Sequence, residues 1–174
     1  MSSSIPDASS PPASSPNGLR AAVLTVSDSC SRNEKSDISG PAVAEVLARH
    51  NFQVVERGIV PDELPVIQKK LIEFCRVAQL VVTTGGTGIA PRDVTPEATI
   101  AVSERLVDGI AEQMRLHGIS KTPYAALSRA VCGVRGRTII LNLPGSPSGA
   151  VESLEAVIDL LPHALELIAG RTNH

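Results

Sequence analysis

Three short apolar runs, each cut off by a polar or glycine-rich stretch, constrain this chain more than any other feature of its sequence. Ala21-Ala22-Val23-Leu24-Thr25-Val26 is continuous rather than alternating, the pattern of a strand buried on both faces. It stops abruptly at Ser27-Asp28-Ser29. Leu80-Val81-Val82-Thr83-Thr84 runs into Gly85-Gly86-Thr87-Gly88, and Thr138-Ile139-Ile140-Leu141-Asn142-Leu143 stops at Pro144-Gly145-Ser146-Pro147-Ser148-Gly149. Residues 52–60 form a further strand, less uniformly apolar and so nearer an edge, which ends at Pro61-Asp62-Glu63.

Between these runs the apolar spacing becomes helical. After Ser39-Gly40-Pro41 it places Val43, Val46, Leu47 and His50 on one face, and a second helix carries Leu64, Ile67, Leu71 and Phe74. Residues 95 to 118 are predicted helical with an interruption near Asp108-Gly109. Residues 119–130 carry no assignable pattern, and Arg135-Gly136-Arg137 can turn a hairpin between strands at 131–134 and 138–143. The last helix bears Val151, Leu154, Ile158, Leu161, Leu165 and Ile168, and Pro162 is expected to kink or divide it. Strand and helix alternating in this way predict an α/β fold with a parallel sheet and helices on both sides.

Composition narrows the function. The 174 residues fit one domain, 43% apolar but only 2% aromatic, so aliphatic side chains must build the core. Nucleic-acid binding by stacking is excluded on that ground. A net charge of -2 leaves no broad basic surface, and any phosphate-bearing partner must meet a local cluster. Cys30, Cys75 and Cys132 are far apart and lack a Cys-x-x-Cys spacing, which reads as reduced thiols in a cytoplasmic protein. No stretch is long and apolar enough to span a membrane. Residues 1–18 hold seven serines and four prolines and read as a disordered tail without the apolar centre of a secretory signal. The folded domain is expected over residues 19–170, with a short tail at 171–174.

Loops that follow parallel strands share one edge of the sheet, where open α/β folds bind ligands. Four such loops here are polar or glycine-rich: residues 27–29, 61–63, 84–93 and 142–149. The glycines of Thr84-Gly85-Gly86-Thr87-Gly88 let backbone N–H groups approach an anion, and Thr95-Pro96-Glu97 reads as an N-cap, a first helical position and an acidic first turn. Asp62 and Asp93 are the candidate pair for Mg²⁺, which takes one or two carboxylates together with substrate phosphates. Taken singly, Asp62 can equally be a helix cap and Asp93 a turn residue or the partner of Arg92. Arg92, Arg32, Lys35 and Arg129 are the basic residues nearest these loops. Cys30 reads as an inert small residue, since no histidine lies near it in sequence. His50, His117, His163 and His174 are scattered without metal-ligand spacing. Two nucleotide motifs fail: a dinucleotide fingerprint from Gly86 meets Pro91 at its third glycine, and Ser120-Lys121-Thr122 has serine where a P-loop requires glycine.

These motifs together resemble the molybdopterin adenylyltransferases of the MogA and MoaB type and the G domains of gephyrin and its plant counterpart. The carriers are Leu24-Thr25-Val26-Ser27-Asp28-Ser29-Cys30, Val60-Pro61-Asp62-Glu63, and Thr83-Thr84-Gly85-Gly86-Thr87-Gly88 with Pro91-Arg92-Asp93-Val94-Thr95-Pro96-Glu97-Ala98-Thr99. Leu127-Ser128-Arg129 and Ile140-Leu141-Asn142-Leu143-Pro144-Gly145-Ser146 complete them. The resemblance implies a three-layer αβα sandwich with a mostly parallel central sheet, assembled as a homotrimer. It implies transfer of AMP from Mg-ATP to molybdopterin with release of pyrophosphate, the metal being served by Asp62 and Asp93. It also assigns substrate binding to Ser27, Asp28, Ser29, Thr84, Gly85, Gly86, Thr87, Gly88, Arg92, Ser128, Pro144, Gly145 and Ser146. Ile38 sits where some relatives carry Arg or Lys. The resemblance covers no metal-inserting domain, and molybdenum insertion is expected to fall to a separate protein. A molybdopterin carrier or a trimeric scaffold without transferase activity is the alternative that the same resemblance leaves open.

Overall fold

The computed structural model describes residues 18–171. The expected disordered tail therefore falls, apart from Gly18, outside the described residues, as do 172–174 of the short C-terminal tail. The chain lays down β1 (Leu19–Val26), a one-turn α1 (Asp28–Ser31), α2 (Ser39–Arg49), β2 (Phe52–Val60), α3 (Leu64–Cys75) and β3 (Leu80–Thr84). It continues with α4 (Thr95–Val102), β4 (Arg105–Leu106), α5 (Asp108–Ile119), β5 (Cys132–Arg135), β6 (Thr138–Leu143), α6 (Pro147–Glu155) and α7 (Leu161–Ile168). Short 3₁₀ turns fill Pro123–Leu127 and Ile158–Leu160.

The sheet order is β2-β1-β3-β6-β5-β4. Neighbours from β2 to β6 are parallel, while β5 and β4 are antiparallel additions at the far side. Each central strand divides its side chains between two cores, as its unbroken apolar run requires. Ala21, Val23, Leu80, Val82, Ile139 and Leu141 pack under α2, α5, α6 and α7. Ala22, Leu24, Val81 and Ile140 face the other way, under α3 and α4. The result is the expected three-layer sandwich. Leu24, Leu80 and Leu141 are fully buried, and truncating any one to alanine would cost about 2–5 kcal/mol.

Three local expectations change. The helical segment from residue 95 breaks at Ser103, five residues before Asp108: Ser103 is extended and its hydroxyl donates to the Thr99 carbonyl at 2.6 Å. The chain then forms β4, a pairing partner for β5 that no local periodicity could announce. Ser27-Asp28-Ser29 is not plain loop but the start of α1, capped when Ser27 Oγ accepts the Cys30 N–H at 3.2 Å. In the last helical stretch the division falls at residues 156–160, and Pro162 sits in the first turn of α7, where its missing N–H goes unneeded.

Candidate active site

The loops after β1, β2, β3 and β6 meet at the C-terminal edge of the parallel strands. Ser27 N–H donates to the Val60 carbonyl at 2.9 Å, joining the first two. Asp28 and Asp62 then exchange bonds, each backbone N–H donating to the other's carboxylate at 3.0 Å. Arg92 arrives from the glycine loop and grips the Asp28 carboxylate with two donors, Nε at 2.6 Å and Nη2 at 2.9 Å. The Arg92 guanidinium draws the Asp28 carboxyl down to about 2. Asp62 moves the opposite way: burial pushes its carboxyl up, the Asp28 N–H opposes this, and the charges of Asp28 and Asp93 add to the rise.

The glycine loop is pressed against this frame. Gly85 N–H donates to the Leu143 carbonyl at 3.1 Å, and its φ of +92° suits glycine alone. A Cβ there would run into the Val26 carbonyl oxygen. At Gly86 it would strike Thr95 Oγ1 and stand 3.0 Å from Asp62 Oδ1. Thr95 is not the helix cap its position suggested. Val94 occupies that place, while the buried Thr95 hydroxyl donates to the Gly85 carbonyl at 2.9 Å and its N–H to the Gly86 carbonyl at 3.1 Å. A tertiary partner for the hydroxyl outcompetes the local cap.

A cleft of about 470 Å³ opens between these loops. Of the residues singled out from sequence, Ser27, Ser29, Thr84, Gly85, Gly86 and Gly145 line it, together with both Asp62 and Asp93. Asp28 and Arg92 are absent from its wall and pair with each other. Thr87 is buried, Gly88 gives its carbonyl to Arg129, and Ser146 caps α6 by accepting the Gly149 N–H at 3.2 Å. Ser128 and Pro144 line a separate cavity of about 40 Å³.

Residues 35–39 also line the cleft; of these the sequence singled out Lys35, Ile38 and the helix start at Ser39, but not Ser36 or Asp37. Asp37 holds this segment in place, accepting the Thr25 hydroxyl at 2.7 Å and the Gly40 N–H at 2.9 Å. Ser39 Oγ donates to the Gly145 carbonyl at 2.6 Å. Among the described residues, Lys35 is the one lysine or arginine on the cleft wall. Cys30 also lines it, while burial pushes the thiols of Cys75 to about 11 and Cys132 to about 12, leaving both protonated.

Among the described residues no group of three or more His, Cys, Asp and Glu could cage a metal. The donor chemistry nevertheless fits Mg²⁺. One oxygen of Asp62 takes the Asp28 N–H and one of Asp93 takes the Ala90 N–H at 2.9 Å. Among the described residues the remaining oxygen of each accepts no hydrogen bond. Two hard donors facing one cleft, completed by phosphate and water, meet the demand of that ion.

Residues 22–163 match the family described as "Probable molybdopterin binding domain". A molybdopterin adenylyltransferase of Helicobacter pylori is 44% identical over 152 residues, covering 85% of this chain and 86% of that protein. The molybdenum cofactor synthesis protein cinnamon of Drosophila melanogaster is 45% identical over 150 residues, 84% of this chain but 25% of its own length. The crystal structure of the molybdopterin biosynthesis enzyme MoaB of Thermus thermophilus superposes with a TM-score of 0.83 at 56% identity, covering 87% of this chain and 97% of that one. Matched by this family over residues 22–163 and by such relatives over most of its length, this chain belongs to the molybdopterin-binding family of molybdenum cofactor biosynthesis proteins.

Proposed function

We propose that the protein is a molybdopterin adenylyltransferase of molybdenum cofactor biosynthesis, a nucleotidyltransferase using ATP as co-substrate. One observation carries the reading: Asp62, Asp93 and the Gly85-Gly86 backbone converge on a single cleft. In the reaction a terminal phosphate oxygen of molybdopterin forms a bond to the α-phosphorus of ATP, and the bond from that phosphorus to the bridging β-phosphate oxygen breaks, releasing pyrophosphate. No protein nucleophile takes part.

Both substrates are anions, so their mutual repulsion must be offset and their approach aligned. Lys35 offers the one side-chain cation of the cleft wall among the described residues. Backbone N–H groups of the glycine loop and the hydroxyls of Ser27 and Ser29 suit phosphate oxygens. Asp62 and Asp93 would hold Mg²⁺, which when bound to phosphates neutralises their charge. The Asp28–Arg92 pair leaves Arg92 bound to a carboxylate, so its work is to fix the loop beside Asp93.

A homotrimer is the assembly the resemblance implies. Support comes from Leu116, Ile119, Tyr124 and Leu127, exposed apolar side chains gathered on α5 and the turn after it. Cytoplasmic location rests on the family's role and on three free cysteines, which suit a reducing compartment. Incubation with ATP, Mg²⁺ and molybdopterin tests the activity. Pyrophosphate and adenylated pterin are expected; pterin binding without pyrophosphate would instead make the protein a carrier, and binding of neither a scaffold.

A further inference from the structure

Arg129 is absent from the cleft wall, yet it touches both ends of the loop that carries Asp93. Its backbone N–H donates to the Thr87 carbonyl at 2.8 Å. Its guanidinium reaches three more acceptors: Nε donates to the Gly88 carbonyl at 2.7 Å, Nη2 to the Asp93 carbonyl at 2.6 Å, and Nη1 to the Glu97 carboxylate. The residues between these anchors have little packing of their own. Residues 89–92 are exposed, with Ile89 at 68%. Inside the loop, Asp93 N–H donates to the Ala90 carbonyl and Ala90 N–H returns to Asp93 Oδ2, both at 2.9 Å. A surface loop without apolar burial keeps one shape only if polar contacts fix it.

We propose that Arg129 is a positioning residue: its guanidinium ties the start of the 87–93 loop to its end and to the first turn of α4, and so fixes the Asp93 carboxylate over the cleft. A planar fork with donors in set directions can satisfy three acceptors at three points of the chain, which a lysine ammonium on a flexible stem cannot. Glu97 balances the charge, so Arg129 acts by geometry rather than by adding positive potential to the cleft. The kinetic consequences rest on the adenylyl-transfer reading; the effect on the loop does not.

The test compares the full chain with Arg129→Lys and Arg129→Gln. Backbone hydrogen exchange at Ala90 and Asp93 is expected to quicken by about tenfold or more in both, with Val82 in β3 unchanged. In pyrophosphate release, kcat is expected to fall by about tenfold to a hundredfold while KM for ATP stays within about threefold, because a carboxylate displaced by an ångström misaligns the reaction rather than the binding. The Mg²⁺ concentration for half-maximal rate is expected to rise by about tenfold in Arg129→Gln and less in Arg129→Lys. A residue that merely stitched the fold would lower the melting temperature and leave that Mg²⁺ dependence alone. Folded variants with wild-type exchange at Ala90 and Asp93, or with wild-type Mg²⁺ dependence, overturn the proposal. If the wild-type protein releases no pyrophosphate, the adenylyl-transfer reading fails, and the exchange measurement alone decides what Arg129 does.

Discussion

Replacing Gly85 by alanine isolates the feature on which the cleft's floor depends. Two penalties combine there. The φ of +92° places an L side chain in the left-handed region, at about 1–2 kcal/mol. The new Cβ would also stand well under 3.0 Å from the Val26 carbonyl oxygen, an atom of β1 backbone that cannot swing aside; overpacking of this kind costs about 1–3 kcal/mol. A sum of about 3 kcal/mol lowers the melting temperature of a domain this size by about 6–12 °C. Two other glycines separate the causes. Gly136, in the β5–β6 turn, has φ +56° but no atom within 4 Å of an added Cβ, so alanine there should cost the conformational part alone, about 2–8 °C. Gly145 has an ordinary φ and would bring a Cβ to 3.4 Å from Gly85 Cα, a normal contact, and should melt within about 2 °C of wild type. Thermal unfolding followed by circular dichroism reads all three. If Gly85→Ala melts with Gly145→Ala, the close approach of the glycine loop to β1 is wrong.

Lys35→Gln should raise KM for ATP or molybdopterin by about tenfold, the loss of one charge-assisted contact, while leaving the melting temperature unchanged; an unaltered KM for both substrates removes Lys35 from the site. Asn142→Leu strips a fully buried amide that donates to Thr83 and Thr99 at 3.1 and 2.9 Å and accepts the Val131 N–H at 3.3 Å. Leaving that N–H unpaired should cost about 2–3 kcal/mol and about 5–10 °C, and a variant as stable as wild type would refute the buried network. For the Asp28–Arg92 pair the sign follows from a carboxyl lowered from 3.8 to about 2. Its stabilisation is complete above the unfolded value and disappears as pH falls through the folded one. The melting difference between wild type and Arg92→Gln should therefore be full at neutral pH and vanish toward pH 2, and a difference that persists there contradicts the pairing.

The parts of the fold that local sequence dictates were legible in it. The central strands β1, β3 and β6 announce themselves because burial on both faces demands unbroken apolar runs, and β2 reads as an edge because its run is diluted by Glu56 and Arg57. The polar loops that follow them had to share an edge once the strands were parallel. What stayed hidden depends on partners far away in the chain. The strand at Arg105–Leu106 exists because Gly133 and Val134 lie beside it. Thr95 looks like a cap until the Gly85 carbonyl is brought to its hydroxyl. Asn142 reads as the first residue of a polar loop, yet it is buried against α4. The wall at residues 35–39 owes its place to Thr25 and Gly145, and the Arg92 charge that seemed free for phosphate is bound to Asp28.

Whether Asp62 and Asp93 act together over one cleft is decided by Asp93→Asn. Asparagine keeps the side-chain oxygen that accepts the Ala90 N–H while removing the negative charge. An unchanged melting temperature, retained molybdopterin binding, and pyrophosphate release reduced by about a thousandfold or more are expected, since the proposed Mg²⁺ site would lose one of its two carboxylates. An Asp93→Asn protein that turns over ATP and molybdopterin at the wild-type rate, with the wild-type Mg²⁺ dependence, would contradict that joint role.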